Sequence, residues 1–101
     1  MTFRFYHCNI NVRDLERSVK FYAEALDMRP VREKEAEDGS FKLVFLANEA
    51  ATFQIELTWL RDHAERNYDL GENESHLAFR TDDFAAAKAK HDAMGCVCFE
   101  N

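Results

Sequence analysis

Three residues in this chain join a metal-ligating side chain to a mid-strand position: His7, Glu56 and His76. Glu56 stands at the centre of Phe53-Gln54-Ile55-Glu56-Leu57-Thr58-Trp59. With the two-residue period of a strand, Phe53, Ile55, Leu57 and Trp59 point one way, and Gln54, Glu56 and Thr58 the other. One face is core. The other carries a carboxylate in mid-strand, which is costly unless water, a partner or a metal meets it. His7 takes the matching place in Phe3–Val12, where Tyr6, Cys8, Ile10 and Val12 alternate with Phe5, His7, Asn9 and Asn11. His76 does the same in Ser75–Thr81, opposite Leu77 and Phe79. Two imidazoles and a carboxylate suit zinc, nickel, cobalt or iron. The same residues also suit hydrogen-bonded, half-buried strand groups, and spacing alone leaves both readings open. His63 falls in a polar loop and His91 on a helix face, so both are read as non-ligands.

The elements that must position these residues follow from periodicity. Phe3–Val12 reads as a strand. Asp14 caps a helix in which Leu15, Val19, Tyr22 and Leu26 recur at helical spacing. Pro30 places the end of that helix near Asp27 or Met28. Strands are expected over Pro30–Lys34 and Ser40–Ala47, around the charged hairpin Glu35–Gly39 with its Asp-Gly turn signal. The run Phe41–Leu46 is nearly all apolar, as a central strand would be. Asn48–Ala51 turns the chain into the Glu56 strand. Arg61–Glu74 is a polar connection. A strand is then expected over Ser75–Thr81 and a helix capped by Asp82 or Asp83, with Phe84, Ala87, His91 and Met94 on its inner face. Gly95 ends that helix and Cys96–Phe99 begins a further strand.

The order repeats. His7 and His76 each precede an aspartate, Asp14 and Asp83, by seven residues. Each pair is strand, turn and amphipathic helix. Glu56 lies 49 residues after His7, and the same spacing from His76 points near position 125, past Asn101. The repeat therefore predicts a second carboxylate that this sequence does not contain. Glu100 falls too early to be that residue.

Composition narrows the class. A chain of 101 residues with 47% hydrophobic content is expected to form one small α+β domain. A net charge of −6, with no basic cluster, argues against a nucleic-acid partner. No apolar run reaches a membrane span and no signal-peptide pattern opens the chain, so the cytoplasm is the expectation. Cys8, Cys96 and Cys98 form no even framework and are read as reduced thiols.

Local motifs carry a resemblance. Ile55-Glu56-Leu57-Thr58, Tyr68-Asp69-Leu70-Gly71, His76-Leu77-Ala78-Phe79 and Thr81-Asp82-Asp83 resemble the glyoxalase I (lactoylglutathione lyase) family. So does Val12-Arg13-Asp14-Leu15-Glu16-Arg17-Ser18-Val19-Lys20-Phe21-Tyr22. The resemblance implies paired strand–helix–three-strand modules of the vicinal-oxygen-chelate type. They would occupy 1–60 and 75–101, joined by 61–74, with the second module cut short. It implies His7, Glu56 and His76 as metal ligands and a missing fourth ligand, a glutamate. Glu56 would also serve as a catalytic base. The implied reaction isomerises the hemithioacetal of methylglyoxal and a thiol, usually glutathione, to a lactoyl thioester. The cofactor would be a divalent metal, with nickel or cobalt favoured and zinc an option. The partner would be a second copy, with the site between chains. Asn11 stands where glutathione-using members commonly carry a basic residue, and Leu60 where they carry an asparagine. Asn11 and Arg13 are the expected substrate contacts; alternation puts Arg13 on the same side as Asn11, where it would be a substitute anion contact. The alternatives are an epimerase-like enzyme of the same superfamily and a non-catalytic module binding a metal or small molecule. The sequence is expected to be part of a chain of about 125 to 130 residues, as the repeat spacing implies.

Overall fold

The aspartates at 14 and 83 do the same job in two places. The structure, a computed structural model, describes residues 1–50 and 52–100. Ala51, expected in the turn before the Glu56 strand, and Asn101 lie outside the described residues. Asp14 adopts extended backbone and its Oδ1 accepts from Arg17 N at 3.1 Å, starting α1 (Leu15–Leu26). The helix closes at Asp27, which takes a left-handed φ of 55°. Met28 N donates to Tyr22 O at 3.3 Å, and Pro30 follows. The expected end is the observed one.

The chain divides into two compact units, Met1–Asp69 and Leu70–Asn101. In the first, α1 lies between β1 (His7–Asn11) and β2 (Arg29–Glu35), and β3 (Phe41–Ala47) and β4 (Gln54–Leu60) follow. This is the expected strand–helix–three-strand order. The sheet order is β1-β4-β3-β2, with β1 parallel to β4 and the other pairs antiparallel. Asp38 and Gly39 make the β2–β3 turn: Ser40 N donates to Asp38 Oδ1 at 3.0 Å and Gly39 takes φ 74°. Arg61–His63 adds a single 3-10 turn after β4.

Burial follows the alternation. Leu46, Ile55 and Leu57 are fully buried and join Met28 and Val44 in the core. Cys8, Ile10 and Val12 from the first strand region, and Leu15, Val19, Tyr22 and Leu26 from α1, pack on it. The helix thus covers one face of the sheet. The first strand is shorter than Phe3–Val12 because its one ladder partner, β4, starts at Gln54. Gln54 N donates to Tyr6 O at 3.0 Å, and before that point the rings of Phe5 and Phe53 meet edge-on.

In the second unit, Asp83 Oδ1 accepts from Ala86 N at 3.0 Å and starts α2 (Phe84–Met94). Gly95 ends it with φ 68°. Ala87, His91 and Met94 are half-buried, but Phe84 is 75% exposed and does not join them. The strands expected over Ser75–Thr81 and Cys96–Phe99 are not formed among the described residues. The first unit supplies the reason. There the opening strand β1 bonds only to β4, and β2 only to β3. Among the described residues of the second unit no further strand forms that could serve as a ladder partner. A strand pattern without a ladder partner leaves its backbone to water, and Leu77 and Phe79 stay exposed. Among the described residues no helix is long and apolar enough to cross a membrane.

Candidate active site

The face of the sheet opposite α1 carries the chemistry. Register sets its side chains in rows across four strands. Asn9 pairs with Glu56, Glu56 with Phe45, and Phe45 with Arg32. The next row is Asn11, Thr58, Leu43 and Lys34. His7 precedes the first row on β1. Its Nε2 lies 3.8 Å from Glu56 Oε1, with the side chains 32% and 16% exposed. That separation exceeds a hydrogen bond, so the two groups face one another without consuming each other's acceptor.

Their surroundings hold them there. Phe45 is 3% exposed, and its ring meets the His7 ring edge-on with centres 5.3 Å apart. Tyr6 flanks the imidazole with ring centres 5.2 Å apart. Beside Glu56, Thr58 Oγ1 donates to Asn9 Oδ1 at 2.5 Å, and Asn9 Nδ2 donates to Asn11 Oδ1 at 2.8 Å. Asn9 is thereby fixed by both neighbours. Above Phe45, Arg32 Cζ stands 4.0 Å from the ring centre.

The fit to a metal can be judged from the donors. An imidazole nitrogen and a carboxylate oxygen are the usual ligands of zinc, nickel and cobalt. Two such ligands at metal distances of ~2.0–2.2 Å stand roughly 3–3.5 Å apart. A separation of 3.8 Å needs only a small side-chain shift. His7 and Glu56 therefore fit as two members of a metal's ligand set.

The other expected residues are placed differently. His76 lies in the second unit, exposed, within Ser75–Thr81 where no strand forms. Among the described residues no group of three histidine, cysteine, aspartate or glutamate side chains comes together. Asn11 is on the site face, through its bond to Asn9. Arg13 was expected on the side of Asn11 by alternation, but β1 ends at Asn11 and the alternation ends with it. Arg13 instead lines two cavities, of about 920 and 330 Å3. The larger also touches Leu15, Val44 and Trp59, on the helix side of the sheet, and neither includes His7 or Glu56.

Periodicity missed Phe45 and Arg32. A run that is apolar on both faces does not say which phenylalanine meets the site, and Arg32 is one cation among many on an exposed strand. His63, read as a non-ligand, stacks on Tyr68 with ring centres 3.7 Å apart and planes 7° apart. Cys8 faces the core side, out of phase with His7, and burial pushes its thiol up. Burial also raises the Tyr22 phenol, with the nearby Cys8 adding to the effect.

The profile of the Glyoxalase/Bleomycin resistance protein/Dioxygenase superfamily matches residues 4–98. The chain is 34% identical over 99 residues to a lactoylglutathione lyase of Haemophilus influenzae, covering 93% of this chain and 70% of that protein. It is 38% identical over 82 residues to a lactoylglutathione lyase of Neisseria meningitidis, covering 79% and 58%. Among solved structures it resembles a glyoxalase I of Leishmania major described as trypanothione-dependent. That match has a TM-score of 0.77 and 30% identity, covering 93% of this chain and 68% of that one. The chain belongs to the glyoxalase I family of the vicinal-oxygen-chelate superfamily. It spans about 60% of the length of several of its curated relatives.

Proposed function

We propose that this chain forms part of a lyase that isomerises the hemithioacetal of methylglyoxal and a thiol, glutathione in the first instance, to the lactoyl thioester. The observation that carries the reading is the facing pair His7 Nε2 and Glu56 Oε1, 3.8 Å apart on the polar sheet face of a glyoxalase-family module. A divalent ion bound there would supply Lewis-acid stabilisation of negative charge on the substrate oxygens. His7 and Glu56 are its proposed ligands from this unit, and His76 is the proposed third. Nickel or cobalt is favoured, with zinc as the alternative.

Glu56 is also the proposed base. It takes the proton from the carbon bearing sulfur and returns it to the neighbouring carbon, while a second proton moves between the two oxygens. No atom is gained or lost. Phe45, beneath the His7 ring, keeps water from one side of the pair. Asn9 and Thr58 pin the polar row next to Glu56. Asn11, at the end of that network, is the proposed contact for the thiol portion. Arg13, which lines the cavities on the helix side, is not carried into the proposed contact set. We further propose a homodimer, in which His76 of one copy joins His7 and Glu56 of the other.

Turnover of the methylglyoxal–glutathione hemithioacetal tests the reading, after stripping the protein and reloading it with nickel, cobalt or zinc separately. Activity restored by a metal and lost in Glu56→Ala is the expected result. Absence of turnover with all three would refute the activity for this chain. Sedimentation with and without metal tests the dimer, and a species of monomer mass in both conditions would refute it.

A further inference from the structure

Arg32 is a cation without an acid. Arg29, on the same strand, pairs with Glu49 at 3.4 Å. Arg32 makes no ion pair or hydrogen bond among the described residues. Its guanidinium instead lies over the face of Phe45, 4.0 Å from guanidinium carbon to ring centre. The opposite neighbour of that ring is the His7 imidazole, 5.3 Å away between centres. One buried phenylalanine thus separates the guanidinium from the His7–Glu56 pair. Stacking on an aromatic face restrains an arginine without using its five N–H donors. The two cross-sheet rows hold one acid, Glu56, and two bases, Arg32 and Lys34.

The backbone is bent to produce this. Pro30 pairs with Leu46, on the core side, and the register then skips Val31 so that Arg32 pairs with Phe45. In a regular ladder Val31 would oppose Phe45, and Arg32 would oppose Val44 in the core. The bulge re-aims the arginine onto the polar face.

We infer that Arg32 is a specificity-determining residue, holding a carboxylate of the thiol part of the substrate across the Phe45 ring from Glu56. The inference rests on the hemithioacetal reading for the identity of its ligand. Arginine matches a carboxylate with two parallel N–H donors, which a lysine does not. The distance across the rows suits a bound conjugate. β2 and β4 lie two strand spacings apart, roughly 9.5 Å, so the anionic end and the reacting carbon of one small peptide conjugate can reach both.

The test is binding of an inert conjugate, S-hexylglutathione, against its dimethyl ester, by calorimetry on the full chain. The diacid should bind about tenfold tighter than the diester, as a charge-assisted contact implies. Arg32→Met keeps an apolar side chain over Phe45 and should bring the two within about twofold, on the same arithmetic. Arg32→Lys should keep part of the preference. Lys42→Met, stacked on Trp59 on the helix side of the sheet, should keep all of it. A preference that survives Arg32→Met overturns the inference, as does a wild-type protein that shows none or binds neither compound. Turnover is measured separately. Preference without turnover would sink the proposed reaction and leave the anchor standing, and turnover without preference would do the reverse.

Discussion

Two adjacent residues of β4 should differ several-fold in what their mutation costs. Leu57 is fully buried between α1 and the sheet, with Ile10 and Val44 as its cross-strand partners. Leu57→Ala removes most of an isobutyl group from a site walled on both sides by bonded strands. The walls cannot close, so the cavity term is retained and the cost should be about 3–4 kcal/mol, within the range for such truncations. For a unit of this size that lowers the urea midpoint by about 2 M. Glu56 faces the other way, 16% exposed and 3.8 Å from His7. Glu56→Gln keeps the size of the side chain and loses only a partly solvated polar contact with His7, worth at most about 1 kcal/mol. The assay is urea unfolding followed by the fluorescence of Trp59, the one tryptophan in the sequence, which sits on the same strand. If Glu56→Gln lowers the midpoint more than Leu57→Ala does, the face assignment is wrong and the site built on it falls.

Metal should raise the melting temperature of the wild-type protein, by about 2.7 kcal/mol of stability at a hundredfold excess over Kd. His7→Ala and Glu56→Gln should each lose most of that rise, and calorimetric melts with and without nickel would show it. Asp14→Ala should destabilise the first unit by about 1 kcal/mol, because the bond to Arg17 N is lost; a change within error in the urea midpoint would count against the cap. Stability should fall on the alkaline side. Burial raises the Cys8 thiol above its ordinary 9.0, so the folded chain holds a proton that the unfolded chain releases. That contribution is complete below pH 9.0 and is lost as pH rises through the raised value, with Tyr22 adding the same sign above 10.0. Cys8→Ala should flatten the pH 8–10 slope in chemical denaturation, and an unchanged slope would reject the assignment.

What could be read from sequence was what a single strand or helix decides by itself. Glu56 between Ile55 and Leu57 announces its face without reference to any neighbour, and the alternation is the observed burial. Asp14 and Asp83 announce helix starts because the cap bond is local, and both bonds are present. Ser75–Thr81 failed for the opposite reason. Its pattern is a strand's, but a strand exists only with a partner, and β1 shows that the needed partner is a β4. Arg13 failed because alternation was carried past the end of β1, where no ladder enforces it.

Arg32 shows where single-strand reasoning stops. Its face depends on the register between β2 and β3, and the register depends on what happens at Pro30. Proline has no N–H to donate, so a ladder crossing it is prone to irregularity. Here the register slips between Pro30 and Arg32, and one residue of slip moves a side chain to the other side of the sheet. The same five letters, Arg-Pro-Val-Arg-Glu, would place a guanidinium against Val44 in one register and over Phe45 in the other. In the observed register Glu33 takes the place opposite Val44, on a strand exposed along its whole length. The shift after Pro30, and not any pattern within β2 itself, delivers the arginine to the face that carries His7 and Glu56.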